Sequence, residues 1–143
     1  NKLIAFRDQC EEAIGEADIK ICVENADGYN KEFLQKGLAF LLESKAFALT
    51  FDIGHNAGIG GSDEEVIMKH KNKLCHMHMH DAREKSSHLP LGAGELDLLK
   101  YFHLAETQNC RVVLETKTIA GLKDSLEWIK SRERLRKQND ECR

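Results

Sequence analysis

The sequence predicts an α/β fold made of parallel β/α units, and two observations lead to this prediction. The first is a set of four short apolar segments, each of which ends at a polar residue, as strands that stop at the edge of a core do. They are 19–24 (IKICVE), 47–52 (FALTFD), 74–80 (LCHMHMH) and 112–115 (VVLE).

The second observation is a set of segments whose apolar residues recur at helical spacing. They lie before, between and after the strands, at 2–16, 31–44, 62–71, 95–108 and 120–137. Ser62, with Glu65 three positions later, forms a capping box at the start of one of these helices. Strands that alternate with helices imply a parallel sheet with right-handed crossovers.

The segments between these elements are predicted to be loops. Residues 53–61 form a Gly-rich loop, and residues 82–94 form a longer loop that holds the single proline. The charged stretch 131–143 is predicted to be a helix end followed by a tail. We expect residues 1–143 to form one domain, because the length of the chain fits one.

Composition argues against several classes of protein. The formal net charge of -3 suits neither nucleic acid nor an anionic membrane as a partner. No apolar run approaches the roughly 20 residues that a membrane-spanning helix needs. The five cysteines are an odd number and form no CxxC pair. They indicate reduced, buried thiols in a cytoplasmic protein.

The polar residue at the end of each strand defines one face of that strand, because side chains alternate across it. Counting back from Asp52 places Thr50 and Ala48 on its face and leaves Phe51 and Leu49 on the other. The same count places Cys22 with Glu24, Val113 with Glu115, and His76 and His80 with His78, opposite Cys75, Met77 and Met79. This pattern predicts units of a TIM-type barrel, in which the outer face packs on helices and functional residues lie at the C-terminal strand ends.

The four strand-end residues form a candidate metal site. They are Glu24, Asp52, His78 and Glu115. Three carboxylates and one imidazole suit Mn²⁺ or Mg²⁺, and the imidazole admits Zn²⁺, Co²⁺ or Fe²⁺ as well. A divalent cation would also relieve the repulsion between the three carboxylates and keep them ionised.

A divalent ion in such a site makes a C–H next to a substrate carbonyl acidic and stabilises the enediolate that forms. One carboxylate could remove this proton and a second could return it, which gives isomerisation or epimerisation of a sugar. Glu24 and Glu115 end the first and last strands, so they are the predicted acid/base pair. His76 lies deeper and is predicted to pack, whereas His80 either contacts substrate or is solvated. His78 by itself could equally be a satisfied buried histidine.

Five motifs together resemble the sugar phosphate isomerase/epimerase family, whose fold is a xylose-isomerase-like TIM barrel. The motifs are VEN (23–25), FDIGH (51–55), HMHMHD (76–81), HLPLGAGELD (88–97) and VVLE (112–115). The superfamily includes ketose 3-epimerases, hydroxypyruvate isomerases, inosose dehydratases and zinc-dependent apurinic endonucleases. The resemblance extends over residues from about 19 to 128.

The resemblance implies a role for each matched position. Glu24 and Glu115 match metal ligands that also act as the acid/base pair, and Asp52 and His78 match the other two ligands. His55 matches a residue that contacts substrate in the epimerases or an additional zinc ion in the endonucleases. The loop motif brings His88 to the same site, so His55, His80 and His88 are the predicted substrate contacts.

Two departures from the family pattern limit what the resemblance implies. The endonucleases carry an Asp-x-His pair in the loop before the last strand, and here Ser86 stands two residues before His88. A full barrel has eight strands, and this sequence offers four, which match the second half. We therefore expect either a piece of a longer barrel or a homo-oligomer that covers the open barrel edges.

Three functions are consistent with the sequence. The leading one is a divalent-metal-dependent isomerase or epimerase of a small sugar, sugar phosphate or polyol. The second is a lyase (dehydratase) or a zinc phosphodiesterase on the same scaffold, the latter disfavoured by Ser86. The third is a non-catalytic half-barrel that binds metal or self-associates. Because the ligand set is complete but the pocket is halved, the sequence predicts metal binding by this chain and catalysis by a full-length barrel.

Overall fold

The computed structural model describes residues 2–26 and 28–141, with the backbone alone described for 135–141. Its main sheet has four parallel strands, β1 (Ile21–Glu24), β2 (Phe47–Asp52), β3 (Leu74–Met79) and β6 (Arg111–Leu114). They lie side by side in the order β1-β2-β3-β6, so that β1 and β6 are the two edges. The predicted α/β fold with four parallel strands is confirmed.

Helices precede, separate and follow these strands. They are α1 (Lys2–Ile14), α2 (Glu32–Leu42), α3 (Ile53–Gly58), α4 (Glu64–Lys69), α5 (Leu98–Thr107) and α6 (Ile119–Glu141). A 3-10 turn at Lys71–Lys73 leads into β3. Helix α6 continues past residue 137, where the sequence predicts its end, while residues 142 and 143 of the predicted tail lie outside the described residues. No described helix combines the length and apolar character required to cross a membrane.

Both predicted loops contain regular structure. Residues 53–61 begin with α3, because the Asp52 carboxylate accepts a hydrogen bond from the His55 amide at 2.7 Å and caps the helix. Residues 82–94 hold most of an antiparallel hairpin of β4 (Asp81–Arg83) and β5 (Ser86–Leu89). The predicted capping box is wrong, since α4 begins only after Asp63 and has no side-chain cap.

The core lies between the outer face of the sheet and the helices. Every residue of β2 is buried, and the large apolar side chains that point outward from it are Phe47, Leu49 and Phe51. Met77 and Met79 of β3 are also fully buried. The large apolar residues therefore lie opposite the polar strand ends, as the alternation predicts.

One irregularity in β3 changes the predicted faces. Leu49 pairs with Leu74 and Thr50 pairs with His76, so Cys75 is an extra residue in a β-bulge. The bulge turns Cys75 towards Cys22, and their Sγ atoms are 3.4 Å apart. The sequence places Cys75 on the face of the sheet opposite to that of Cys22, and this prediction is therefore wrong. Both thiols are partly exposed rather than buried. Burial and then the hydrogen bond with Cys22 raise the pKa of Cys75 to about 11.

Candidate metal centre

The strand register brings the predicted ligands to one end of the sheet. Asp52 pairs with His78 across β2 and β3, and His78 pairs with Val113 across β3 and β6. Glu115 follows β6 and continues its pairing, because its amide donates to the carbonyl of Met79 at 3.1 Å. Parallel strands place their C-terminal ends at one edge, so four residues distant in sequence become neighbours.

His78 lies at the centre of this group. Its Nδ1 atom is 3.4 Å from Glu24 Oε1, 3.6 Å from Asp52 Oδ2 and 3.3 Å from Glu115 Oε2. The structure thus brings together all four residues that the sequence selects as metal ligands.

Three of these four atoms have unsatisfied hydrogen-bonding capacity, and so does His55 Nδ1. Among the described residues, buried side-chain atoms without a hydrogen-bond partner include Asp52 Oδ2, His55 Nδ1, His78 Nδ1 and Glu115 Oε2. An unpaired buried polar atom costs on the order of 1–3 kcal/mol, and more if it is charged. Three of them, on Asp52, His78 and Glu115, belong to residues whose ligand atoms lie within 4.8 Å of one another. Such a group fits a divalent cation, for which oxygen and imidazole nitrogen are ordinary ligands.

His55 lies closer to the ligand atoms than a simple substrate contact requires. Its Nδ1 atom is 3.4 Å from Glu24 Oε1 and 3.8 Å from Asp52 Oδ2. Ligand atoms of Glu24, Asp52 and His55 lie within 4.8 Å of one another, as do those of Asp52, His78 and Glu115. Asp52 belongs to both groups, and the two imidazoles could each hold a cation beside it.

Asp52 is the most enclosed of the carboxylates, with no exposed surface. Burial raises its pKa, but hydrogen bonds from His80 and from the His55 amide, together with their charges, outweigh burial and lower the pKa to about 2. Asp52 is therefore ionised at neutral pH and available to a cation. Its Oδ1 accepts from the neighbouring groups, which leaves Oδ2 directed at the cluster.

His80 does not reach the substrate side of this centre. Its ring has no exposed surface, and its Nε2 is 3.1 Å from Asp52 Oδ1. Its Nδ1 accepts from the His88 amide at 2.8 Å, which places the ring proton on Nε2, where it is donated to Asp52. The substrate contact or solvation that the sequence predicts for His80 is replaced by a role in orienting Asp52. Burial lowers the pKa of His80, but the bond to Asp52 and its charge outweigh burial and the net shift is upward.

His88 forms one wall of the site. Its ring stacks on that of His80 with centroids 4.2 Å apart, and its Nε2 is 3.8 Å from Glu115 Oε2. Its backbone has a φ of 59°, a left-handed conformation that is uncommon outside glycine. His88 is partly exposed at the site, as a residue that contacts substrate would need to be.

Three residues that support the centre were not selected from the sequence. Asn25 is buried and pairs with the backbone of Asp52, donating to its carbonyl at 3.0 Å and accepting from its amide at 2.8 Å. Gly54 makes room for the His80 ring. Asp81 is buried and accepts hydrogen bonds from four backbone amides, those of Ala82, Gly92, Gly94 and Leu96. Each lies within one of the five motifs of the sequence. Their roles depend on burial and on contacts with the backbone, which cannot be read from a single sequence.

Parallel β/α units with polar side chains at the C-terminal strand ends define a protein of the TIM-barrel class. A family model described as xylose isomerase-like TIM barrel matches residues 3–132. This match covers most of the chain, and the protein belongs to the xylose isomerase-like TIM barrel family. A comparison with curated proteins gives no match.

Several solved structures share this fold. A D-tagatose 3-epimerase-like protein is 24% identical with a TM-score of 0.70, over 99% of this chain and 55% of that one. The apo form of 3-keto-D-glucoside 4-epimerase from E. coli is 15% identical with a TM-score of 0.63, over 90% and 52%. D-allulose 3-epimerase from Methylomonas sp., in complex with D-allulose, is 18% identical with a TM-score of 0.59, over 91% and 54%. The chain spans about half the length of each of these structures.

Proposed function

We propose that this chain carries the metal centre and the acid/base pair of a divalent-metal-dependent isomerase or epimerase of a small sugar, sugar phosphate or polyol. The observation that carries the proposal is the position of His78 Nδ1, which lies 3.3–3.6 Å from three carboxylates that come from three other strands. The similarity to three structures named as sugar epimerases or as epimerase-like supports this choice within the family.

The proposed ligands are Glu24, Asp52, His78 and Glu115, and the cation is Mn²⁺, Mg²⁺, Zn²⁺ or Co²⁺. When bound, such an ion supplies positive charge that stabilises an enediolate as a proton leaves the substrate. Three of these ligands, Asp52, His78 and Glu115, each have a buried side-chain atom without a described hydrogen-bond partner, which supports their place in the set. Glu24 is included because its Oε1 lies 3.4 Å from His78 Nδ1.

The exposure of the three carboxylates separates their proposed roles. The side chains of Glu24 and Glu115 are 30% and 40% exposed, whereas that of Asp52 has no exposed surface. Only the two glutamates can therefore exchange a proton with a bound molecule. They approach His78 from the two edges of the sheet, since Glu24 ends the edge strand β1 and Glu115 follows the edge strand β6. One carboxylate takes the proton from carbon, and the other, protonated, returns one from its own side.

His55 and His88 are the proposed substrate contacts. Their side chains are 33% and 22% exposed, and each imidazole lies within 4 Å of one of the two glutamates. Each can donate a hydrogen bond to a hydroxyl or carbonyl oxygen of a sugar held between Glu24 and Glu115.

The proposal is tested by metal binding and by proton exchange. Calorimetry with Mn²⁺ should show binding at one cluster, and binding should be lost in Asp52→Ala. With a panel of ketoses in D₂O, NMR should detect deuterium entering the carbon next to the carbonyl. Glu24→Gln and Glu115→Gln should each lower this exchange by about a hundredfold or more.

Glu65→Gln is the matched control, because Glu65 is an exposed glutamate on α4, away from the cluster. It should bind Mn²⁺ and exchange protons as the unchanged chain does. Normal exchange in both Glu24→Gln and Glu115→Gln, with their folds intact, would refute the acid/base assignment.

The open edges of the sheet favour a second candidate, a half-barrel that self-associates. Strand β6 pairs with β3 alone among the described strands, and Val112 and Val113 are 37% and 45% exposed. An unpaired apolar edge is a template for pairing with another chain. Sedimentation velocity should then report a dimer that Val113→Lys weakens. A monomer at all concentrations would exclude this candidate.

A further inference from the structure

A cavity opens beside the metal centre. It has a volume of about 380 Å³ and lies between the hairpin strand β5, the segment that follows β6 and the first turn of α6. Its lining includes Lys85, Ser86, His88, Thr116, Lys117 and Thr118. His88 also belongs to the metal centre, and Thr116 follows Glu115, so the cavity and the centre share a wall.

The residues that line this cavity have a charge opposite to that of the neighbouring metal centre. The metal centre has three carboxylates, whereas none of the described residues that line the cavity is acidic. Lys85 and Lys117 line it, and neither forms an ion pair with a described residue. In a chain with a net charge of -3, two unpaired lysines facing one space select for an anion.

The hydroxyl groups around the cavity can donate hydrogen bonds to such an anion. Thr118 Oγ1 accepts from the Gly121 amide at 2.9 Å, so its own O–H remains free to donate. Ser86 is exposed, and its hydroxyl group has no described hydrogen-bond partner. Ser87 pairs with His88 Nδ1 at 2.9 Å and fixes the ring that divides the cavity from the centre.

The number of donors suits a phosphate monoester. Such a group carries a charge of about -1.5 to -2 at neutral pH and three acceptor oxygens, which two ammonium groups and the hydroxyls can satisfy. A carboxylate would leave one lysine without a counter-charge. The cavity also lies close to the centre. His88 lines the cavity, and its Nε2 is 3.8 Å from Glu115 Oε2. A molecule with a phosphate in the cavity would pass the His88 ring to bring its carbon chain to Glu115.

We propose that this cavity binds the phosphate group of a sugar or polyol phosphate, through Lys85 and Lys117. The inference rests on the proposed function, and it narrows the substrate class from sugars in general to phosphorylated ones. Lys117 and Thr116 place the anion on the Glu115 side of the centre, so the reacting carbon lies between the anion and Glu24.

The test uses inorganic phosphate as the probe, with the whole chain, in the presence of a chelator and at constant ionic strength. Because the chelator removes metal from the centre, phosphate that binds to the chain is not held by a metal ion. Calorimetry or ³¹P NMR should detect binding to the unchanged chain. The Lys85→Ala/Lys117→Ala variant should bind about tenfold or more weakly. Lys71→Ala/Lys123→Ala is the matched control, because it removes two exposed lysines that do not line the cavity and should bind phosphate normally.

A competition experiment assigns the anion to a phosphate monoester. Glycerol phosphate should displace inorganic phosphate from the unchanged chain, and glycerol should not. Absence of phosphate binding, equal weakening in the two double variants, or failure of glycerol phosphate to compete would each overturn the inference. Failure of the proposed function is separate, since it would appear as absence of Mn²⁺ binding or of proton exchange, which these metal-free titrations do not involve.

Discussion

A Cβ atom on Gly54 would overlap Cε1 of His80, so the first turn of α3 admits the His80 ring only because residue 54 has no side chain. The ring in turn holds Asp52 Oδ1 at 3.1 Å. Gly54, His80 and Asp52 thus form a chain of contacts that leads from a backbone position to the metal centre.

Gly54→Ala should therefore disturb the centre without removing any ligand. The added methyl group must displace a fully buried ring, which we expect to lower the free energy of unfolding by about 1–3 kcal/mol. Affinity for Mn²⁺ should fall as well. Gly58→Ala is the control, because Gly58 lies in the same helix and a Cβ there meets nothing within 4 Å. Urea unfolding would measure the stability of both variants and calorimetry their affinity for Mn²⁺. If Gly54→Ala matched the unchanged chain in both quantities, the His80 ring would not need the space at residue 54.

The strand ends were predictable because each apolar run stops at a polar residue and alternation then assigns its face. That logic located Glu24, Asp52, His78 and Glu115, and the structure brings these four residues together. It failed at Cys75, where one extra residue shifts the phase of β3 by one position. A bulge depends on pairing with β2, which a single strand sequence does not encode.

Two further differences have tertiary causes. His80 shares the predicted face of His78, but β3 ends at Met79 and the alternation no longer directs the side chain. Its ring turns into the space above Gly54 instead. Residues 53–58 form a helix despite two glycines, because Asp52 caps the helix and buried contacts of Ile53 and Asn56 outweigh weak intrinsic propensity.

His80→Phe tests the orienting role of the imidazole. The replacement keeps a ring of similar volume but cannot donate to Asp52 or accept from the His88 amide. Loss of such an outer hydrogen bond should lower metal affinity by about 10–100-fold. His103→Phe, at an exposed position on α5, is the control and should bind Mn²⁺ normally. Unchanged affinity in His80→Phe would show that Asp52 keeps its orientation without it.

The two tyrosines of the chain should ionise late as the pH is raised. Burial, followed by the charges of Asp63 and Glu24, raises the pKa of Tyr29 to about 12. Burial, followed by the charge of Glu64, raises the pKa of Tyr101 to about 12 as well. The folded state therefore favours the neutral phenols, and the stability they contribute is complete below about pH 10 and lost between about pH 10 and 12.

Ultraviolet titration of tyrosinate measures this directly. The folded chain should show its midpoint close to pH 12, and the chain unfolded in urea should show it near the ordinary value of 10. Tyr101→Phe should remove half of the signal and leave the midpoint of Tyr29 in place. A folded-state midpoint near pH 10 would mean that the phenols are solvated.

Asp81 should be among the most sensitive positions outside the metal centre. Its two carboxylate oxygens accept from the amides of Ala82, Gly92, Gly94 and Leu96 at 2.9–3.1 Å, so one buried side chain holds the segment from β5 towards α5. Asp81→Asn replaces one oxygen with an amino group that faces backbone donors. We expect a loss of about 3 kcal/mol or more in the free energy of unfolding, since hydrogen bonds to a charged group contribute about 1.5–3 kcal/mol each.

A local measurement separates this role from general destabilisation. Hydrogen exchange should show that the amides of Gly92, Gly94 and Leu96 lose protection in Asp81→Asn, while those of the buried strand β2 keep theirs. Asp124→Asn, at an exposed position on α6, should change stability by no more than about 0.5 kcal/mol. Equal protection of the three amides in Asp81→Asn and the unchanged chain would mean that backbone contacts alone hold the segment. Pro90 of this segment lines the cavity proposed for phosphate, so a loosened segment should also weaken phosphate binding.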